Sequence, residues 1–473
     1  MQETSLLVWV PLRPGSHWRA EGIAQTIEYI LSEIKDMNVT IVANKEHATV
    51  LNEVFAEQKN IEIIPLSLSW LAFKRKNKRK YKNKSKQYSI ANIKSMREKT
   101  TSSLIQTAFH KVSRIFSKLK YIWSLLGYAL KLRLFTSLQK QGFFKKQNQK
   151  IWLPVPILPW IGQLKGNTIL SFWDPFGFEY REFEKTTLYL LKNFSNVINS
   201  ANQIVTQSYN NKEYLVNVFG VATEKVNVVF LGSPDYSKYL FTSQSKIELI
   251  NRWEVPHIAT NSIEAFWNQY HKEFINHSIL FRLQKRLTAK SKIIMISTQY
   301  RPYKGFETLF KIIDTIIKTH SSDIYFIFTA LLPKNLKKQY GHIHENLIEI
   351  NRVSNKQHAL LYQLADLTLH PSYNEGGLGT YPQFESASVG TPCLINRGRH
   401  TDEMIKTWDK ELEMIVHDFT DITTTANAIV SLLHNKELAN KNIAVIMKNY
   451  RDWSDVSKEY RNLFTYTGSQ NVG

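Results

Sequence analysis

Apolar residues in the first 70 positions fall into short blocks of two kinds. SLLVWVPL, VTIVA and IEIIPLSL read as buried strands, and AQTIEYILSEI between the first two has the 3.6-residue period of a helix with one apolar face. This is βαβ grammar, with a turn at Arg13-Pro14-Gly15-Ser16 after the first strand. The stretch FKRKNKRKYKNKSK (73–86) breaks the pattern, because so much like charge cannot pack against itself. Beyond it Ile105, Phe109, Val112, Phe116, Leu119, Trp123, Leu126 and Leu130 recur at alternating steps of four and three among lysines and arginines, which predicts a basic amphipathic helix. Together these segments read as an insertion into the first domain.

Strand and helix alternation resumes at TILSFW (168–173) and continues through QIVTQS, a helix to Phe219, and VNVVFLG. Residues 257–289 read as helical and as a link between halves. The second half repeats the grammar with KIIMIST, a helix from Phe306, DIYFIFTA, ENLIEI, LADLTLH, CLI, EMIVH and the helix TTTANAIVSLLH. The expected class is α/β: two doubly wound, parallel-sheet halves with ligand sites in the loops after strands, facing a central cleft.

Charge sharpens this picture. The formal net charge is +21, and residues 71–150 alone hold 22 Lys or Arg against one acid, Glu98, so the rest of the 473-residue chain sums to zero. The basicity belongs to the insertion. It carries no helix-turn-helix, RNP-like or zinc pattern, which counts against a nucleic-acid-binding protein. The lone Cys393 excludes an internal disulfide and a thiolate metal cluster and fits a reducing compartment. Glu3 and the shortness of the apolar run Leu6 to Val10 argue against a secretory leader, and no apolar run is long enough to predict a spanning helix.

Four strand-end loops carry candidate chemistry. In STQYRPYKGF, Arg301 and Lys304 lie three residues apart with Gly305 opening a helix, a pattern suited to a diphosphate; a solvated basic turn is the alternative. In HPSYNEGGLGTYPQFESASVGTP, Gly376, Gly377 and Gly379 allow close backbone approach, Pro382 suits a first helical turn and Gly390 a C-cap. Glu375 and Glu385 on either side suit sugar hydroxyls, hydrolytic acid–base work, or mere surface charge. The turn Gly15, Ser16, His17, Arg19 is neither GxGxxG nor a P-loop and suits either an acceptor contact or a structural turn. Asp174, in WDPFGFE, is placed to orient or deprotonate a hydroxyl or, alternatively, to cap a turn. No spacing supports a metal site.

With these residues in place, the chain resembles the GT-B retaining glycosyltransferases of family 4, the "group 1" glycosyltransferases, best over about 200–465. STQYRPYKG is similar to the donor-phosphate motif, and HPSYNEGGLGTYPQFESASVGTP to the two-glutamate signature. Trp453, in YRDWSDVSKEYRNLF, resembles the start of the closing helix. The resemblance implies a GT-B fold of two Rossmann-like domains facing a central cleft: residues 1–250 on the acceptor side with the basic helical insertion at about 71–150, a helical linker at 251–289, a nucleotide-sugar domain at 290–440, and a helix at 441–465 that crosses back. It implies that Lys304, with Arg301, holds the donor diphosphate, Glu375 the hexose and Glu385 the ribose, with Gly376, Gly377, Leu378, Gly379 and Thr380 lining the donor site.

Three positions depart from the family pattern. Gln299 stands where the family has arginine, nine residues rather than seven separate the glutamates, and Trp173 precedes Asp174 where histidine is usual. The implied activity is retaining hexosyl transfer from a UDP- or GDP-sugar to a glycan or lipid-linked acceptor, in cell-surface polysaccharide or glycolipid synthesis, with no divalent metal or other cofactor. A non-catalytic GT-B relative that binds carbohydrate or nucleotide is the alternative. The lysine-rich arm and amphipathic stripe of 73–135 suit an anionic membrane surface, so a cytoplasmic, peripherally bound enzyme is expected.

Overall fold

The structure is a computed structural model that describes residues 5–10, 22–66, 149–154, 167–175, 198–242, 245–253, 275–350 and 353–465. The expected insertion helix, the acceptor-side turn Gly15, Ser16, His17, Arg19 and most of the linker lie outside these residues. The chain divides into two units, one of residues 1–18 and 35–169 and the other of 19–34 and 170–473.

Two sheets carry the architecture. The first runs β3 (Ile61–Leu66), β2 (Asn38–Asn44), β1 (Ser5–Val10), β4 (Lys150–Leu153), β5 (Asn167–Phe172), β6 (Gln203–Thr206), β7 (Val226–Val228). The second runs β10 (Leu347–Glu349), β9 (Ile324–Phe328), β8 (Lys292–Ile296), β11 (Leu367–His370), β12 (Cys393–Asn396), β13 (Val416–His417). In the second sheet β8 pairs in parallel with β9 and β11, and β12 with β11 and β13. The α/β expectation holds.

The helices used below are α1 (Gly22–Glu33), α2 (Lys45–Val54), α3 (Tyr209–Phe219), α4 (Lys246–Asn251), α5 (Phe306–Thr319), α6 (Lys334–Gln339), α7 (Asn355–Leu364), α8 (Tyr381–Ser388), α9 (Arg399–Thr407), α10 (Ile422–His434), α11 (Lys436–Lys448) and α12 (Trp453–Thr465). The near-continuous apolar strands are explained by cover on both faces. On β9, Ile324, Phe326 and Phe328 enter the core shared with α5 and α10, while Tyr325 and Ile327 enter the core shared with α4 and α7. The period of two thus divides one strand between two hydrophobic layers.

Three expected strands are shorter than their apolar runs. ENLIEI becomes a 3-10 turn (Gly341–Asn346) and three-residue β10, EMIVH a 3-10 turn (Lys410–Ile415) and two-residue β13, and VNVVFLG only β7. All three are terminal strands in sheet order, with a neighbour on one side only, where short strands are usual. At the end of the chain α12 returns onto α1: Trp453 stacks on Tyr29 at 4.7 Å and Ser457 Oγ donates to the Ile30 carbonyl at 3.2 Å.

Candidate active site

The order β10-β9-β8-β11-β12-β13 reverses direction between β8 and β11, and the loops leaving those two neighbours are the ones carrying RPYKG and HPSYNEGG. Such a switch point leaves a crevice at the carboxyl ends of the strands. The Tyr373 N–H donates to the Tyr303 carbonyl at 3.0 Å and ties the loops together. Gly305 has φ +63° and ends the loop as the N-cap of α5; a Cβ there would lie 2.2 Å from the Pro371 carbonyl oxygen. Only glycine allows both that backbone and that contact.

Lys304 and Glu375 form an ion pair across this junction, and His370 Nε2 donates to the same Glu375 oxygen at 2.7 Å. Burial by itself would raise the Glu375 pKa, but the Lys304 charge and the His370 hydrogen bond outweigh it and hold the carboxyl well below its usual range. Burial pulls His370 downward, so its neutral ring keeps the proton on Nε2 and presents Nδ1 as a buried acceptor without a partner among the described residues. The Tyr303 hydroxyl is where the remaining charges meet: Arg301 hydrogen-bonds it and the charges of Asp174 and Glu375 act on it. Arg301, Lys304, Glu375 and Asp174 are therefore brought together, although their sequence positions span two hundred residues.

The glycine loop is held on its other side. A Cβ on Gly376 would lie 2.2 Å from the Trp173 carbonyl oxygen. Gly379, at φ +66°, leaves the space that Gln383 and Met404 fill. The Thr380 N–H donates to Gln383 Oε1 at 3.2 Å at the start of α8, with Pro382 in the first helical turn as expected. Leu378 turns into the core with Phe384 and Met404, and Gly377 lies in ordinary contact distance of Gln207.

Glu385 points inward. Tyr362 Oη donates to it at 2.6 Å and Tyr236 adds a second hydrogen bond. Burial pushes its carboxyl up to about 7, with the two tyrosines opposing the shift. Behind it His358, pulled down to about 4 by burial, bonds Ser297 Oγ at 2.7 Å and the Tyr236 hydroxyl at 3.3 Å. A test follows from the sign of the Glu385 shift. Its folded pKa lies above the unfolded carboxylate value, so the folded state binds more protons between the two, and stability falls as pH rises from about 4.3 towards 7. The amide in Glu385→Gln has no charge to desolvate. The stability of the variant relative to wild type, read from melting curves, should therefore climb across that window, on the order of 3 kcal/mol in total; a difference flat with pH would show that Glu385 is not buried as described.

Several residues here escaped the sequence reading. His400, in the first turn of α9, is buried with neither ring nitrogen partnered among the described residues, and burial takes it down to about 3 beside Glu375 and His370. Gln207 and Asn211 contact the Trp173 loop, and Glu403 caps α3 by accepting from the Tyr209 and Asn210 N–H groups at 2.5 and 3.0 Å. All lie in the loops and helix starts that follow β6 and β12, a placement that marks the region to inspect without singling out these residues.

Residues 280–448, which contain β8, β11 and both glutamates, match the family model described as glycosyl transferases group 1. This region of the chain is similar to the group 1 glycosyltransferases. No curated protein matches it in sequence. Among solved structures it is similar to HepE of Anabaena in complex with UDP and glucose (12% identity, TM-score 0.56, 98% of this chain and 99% of that one). It is also similar to sucrose-phosphate synthase of Thermosynechococcus elongatus (13%, TM-score 0.58, 98% and 99%). A third is WaaG, a glycosyltransferase involved in lipopolysaccharide biosynthesis (9%, TM-score 0.54, 98% and 99%). At such identities these likenesses carry the fold, GT-B. The glycosyltransferase motifs quoted from the sequence, RPYKG and the two-glutamate stretch, are the loops that meet at the switch point.

Proposed function

We propose that the protein is a retaining hexosyltransferase that moves a sugar from a UDP- or GDP-sugar to a hydroxyl of a glycan or lipid-linked acceptor, in the making of cell-surface polysaccharide or glycolipid. The observation that carries this reading is the convergence of Lys304, Glu375 and His370 at the crevice between β8 and β11, with Glu385 inside the short helix α8 that follows. HepE has also been solved in complex with UDP-glucose, which favours a uridine nucleotide.

In this reading Lys304 and Arg301 face the diphosphate, and the first N–H groups of α5 meet its remaining oxygens. Glu375 accepts from hydroxyls of the hexose, and Glu385 from those of the ribose with the lone pairs its tyrosines leave open. As the bond from the anomeric carbon to the phosphate oxygen breaks, negative charge grows on the leaving diphosphate, where the two cations stabilise it. The acceptor oxygen bonds to the anomeric carbon on the face the phosphate leaves, and its proton passes to the departing phosphate oxygen. Fixed cations take the part that a divalent metal plays elsewhere. Arg301 supplies, three residues from Lys304, the guanidinium that Gln299 lacks, and this favours an active enzyme over a non-catalytic relative. Asp174, Gly15, Ser16, His17 and Arg19 are assigned to the acceptor, and residues 73–135 to an anionic membrane surface on the cytoplasmic side.

Melting of the wild-type protein against a panel of UDP-, GDP- and ADP-sugars tests the donor. The matching donor should stabilise it by about 2.7 kcal/mol at a hundredfold excess over Kd, and a panel without any shift would defeat the proposal. Deletion of residues 73–135 should abolish salt-sensitive binding to vesicles containing phosphatidylserine.

A further inference from the structure

The first turn of α3 ties together loops that the chemistry needs at a set distance. Asn211 is buried there, and its side-chain amide uses both N–H groups on carbonyls of two different loops: Trp173 at 2.9 Å and Gly376 at 2.8 Å. An asparagine amide has two donors, so both bonds are made at once. Gln207 Nε2 donates to the same Trp173 carbonyl at 2.6 Å. Trp173 and Gly376 touch through their backbones, since a Cβ on Gly376 would fall 2.2 Å from that carbonyl oxygen.

The turn carrying Asn211 is itself fixed. The Asn211 N–H donates to Ser208 Oγ at 3.2 Å, the Glu403 carboxylate accepts the Tyr209 and Asn210 N–H groups, and Asn210 Nδ2 donates to the Arg399 carbonyl at 3.0 Å. All these residues lie in the second unit. Asp174 follows Trp173 and Glu375 precedes Gly376. Each of the two hydrogen bonds of Asn211 thus ends one residue from a carboxylate assigned to one side of the reaction.

We propose that Asn211 is a positioning residue for glycosyl transfer, holding the Glu375 loop and the Asp174 loop in register so that the anomeric carbon of the donor and the acceptor hydroxyl meet. This rests on the glycosyltransferase reading. Asn211 touches neither reactant in this scheme, and its effect comes through geometry, where a displacement of about 1 Å can cost on the order of a hundredfold in rate.

The test uses the full chain with Asn211→Leu, which keeps the side-chain size without donors, and Asn211→Asp, which turns acceptors towards both carbonyls. The UDP site contacts at Lys304 and Glu385 are untouched, so UDP affinity should stay within about threefold. The rate of transfer to acceptor should fall roughly 10- to 100-fold, more in the aspartate variant, and the share of donor lost to water should rise. Amide hydrogen exchange should quicken at 173–174 and 375–380 and stay unchanged in β8, β9 and β12.

Transfer within twofold of wild type in both variants, or unchanged exchange in both loops, would overturn the proposal. So would equal losses of transfer, UDP affinity and melting temperature, which mark a merely structural residue. A wild-type protein that neither transfers nor hydrolyses any nucleotide sugar would overturn the functional reading, and the positioning role with it. Active wild type with undiminished transfer in Asn211→Leu would overturn the positioning role alone.

Discussion

Lys304→Met is expected to lower the rate of glycosyl transfer by about 10²- to 10³-fold, the cost of removing one fixed group that stabilises charge developing in the transition state. The same change should destabilise the protein. Lys304 and Glu375 are 13% and 19% exposed, so the pair is largely out of water, and removing the cation leaves a buried carboxylate held by the His370 hydrogen bond without its charged partner. Breaking such a pair costs about 3–5 kcal/mol, with the low end expected because the His370 bond remains.

The pH dependence follows. In wild type the depressed Glu375 pKa contributes stability that is present above the unfolded carboxylate value and is lost only as pH falls through the folded one. Without Lys304 the folded value rises, so acid unfolding should begin at a higher pH. The double variant Lys304→Met, Glu375→Gln removes the stranded charge; it should recover most of the stability while transfer stays low. Melting curves from acid to neutral pH and a radiolabel transfer assay read the two quantities separately. An acid limb unmoved in the single variant would refute the ion pair, and full activity in the double variant would refute its role in catalysis.

Gly305→Ala should be the most damaging small change in the second sheet's loops. An L-residue at φ +63° costs about 1–2 kcal/mol before any contact is considered. The new methyl would also stand 2.2 Å from a backbone oxygen of Pro371, and backbone cannot swing away as a side-chain tip can. Relief requires the HPSYNE loop to move off RPYKG, which parts Lys304 from Glu375. A total loss on the order of 2–5 kcal/mol and a transfer rate lower by at least about tenfold are expected. Gly390→Ala is the control, because Gly390 has φ +83° but open space around its Cβ position; it should show the backbone cost alone, with activity kept. Equal effects of the two substitutions would mean that the contact with Pro371 does not matter.

The resemblance of two stretches to family motifs located most of the candidate site, since RPYKG and HPSYNEGGLGTYPQFE carry Arg301, Lys304, Glu375 and Glu385 within short local patterns. The helix opening at Gly305, the first-turn Pro382 and the Gly390 stop were legible for the same reason: each follows from the steric demands of a few neighbouring residues. His400 and Asn211 were not legible. A histidine in NRGRHTDE and an asparagine in SYNN have no local pattern to distinguish them, and their meaning comes from partners found or missing across the fold.

By itself the sequence determined the α/β class, the central strands and the glycine and proline punctuation, because hydrophobic period and backbone sterics act over a few residues. Tertiary structure alone decided that Glu375 is an ionised partner of Lys304 while Glu385 sits raised among tyrosines. Two glutamates of identical chemistry shift in opposite directions because the Lys304 charge and the His370 hydrogen bond outweigh burial at Glu375, while burial outweighs the tyrosine hydrogen bonds at Glu385. It also decided that the strands at the sheet edges stop early, and that the first turn of α3 holds two distant loops together. Such effects depend on which segments meet, and no short window of the chain records that.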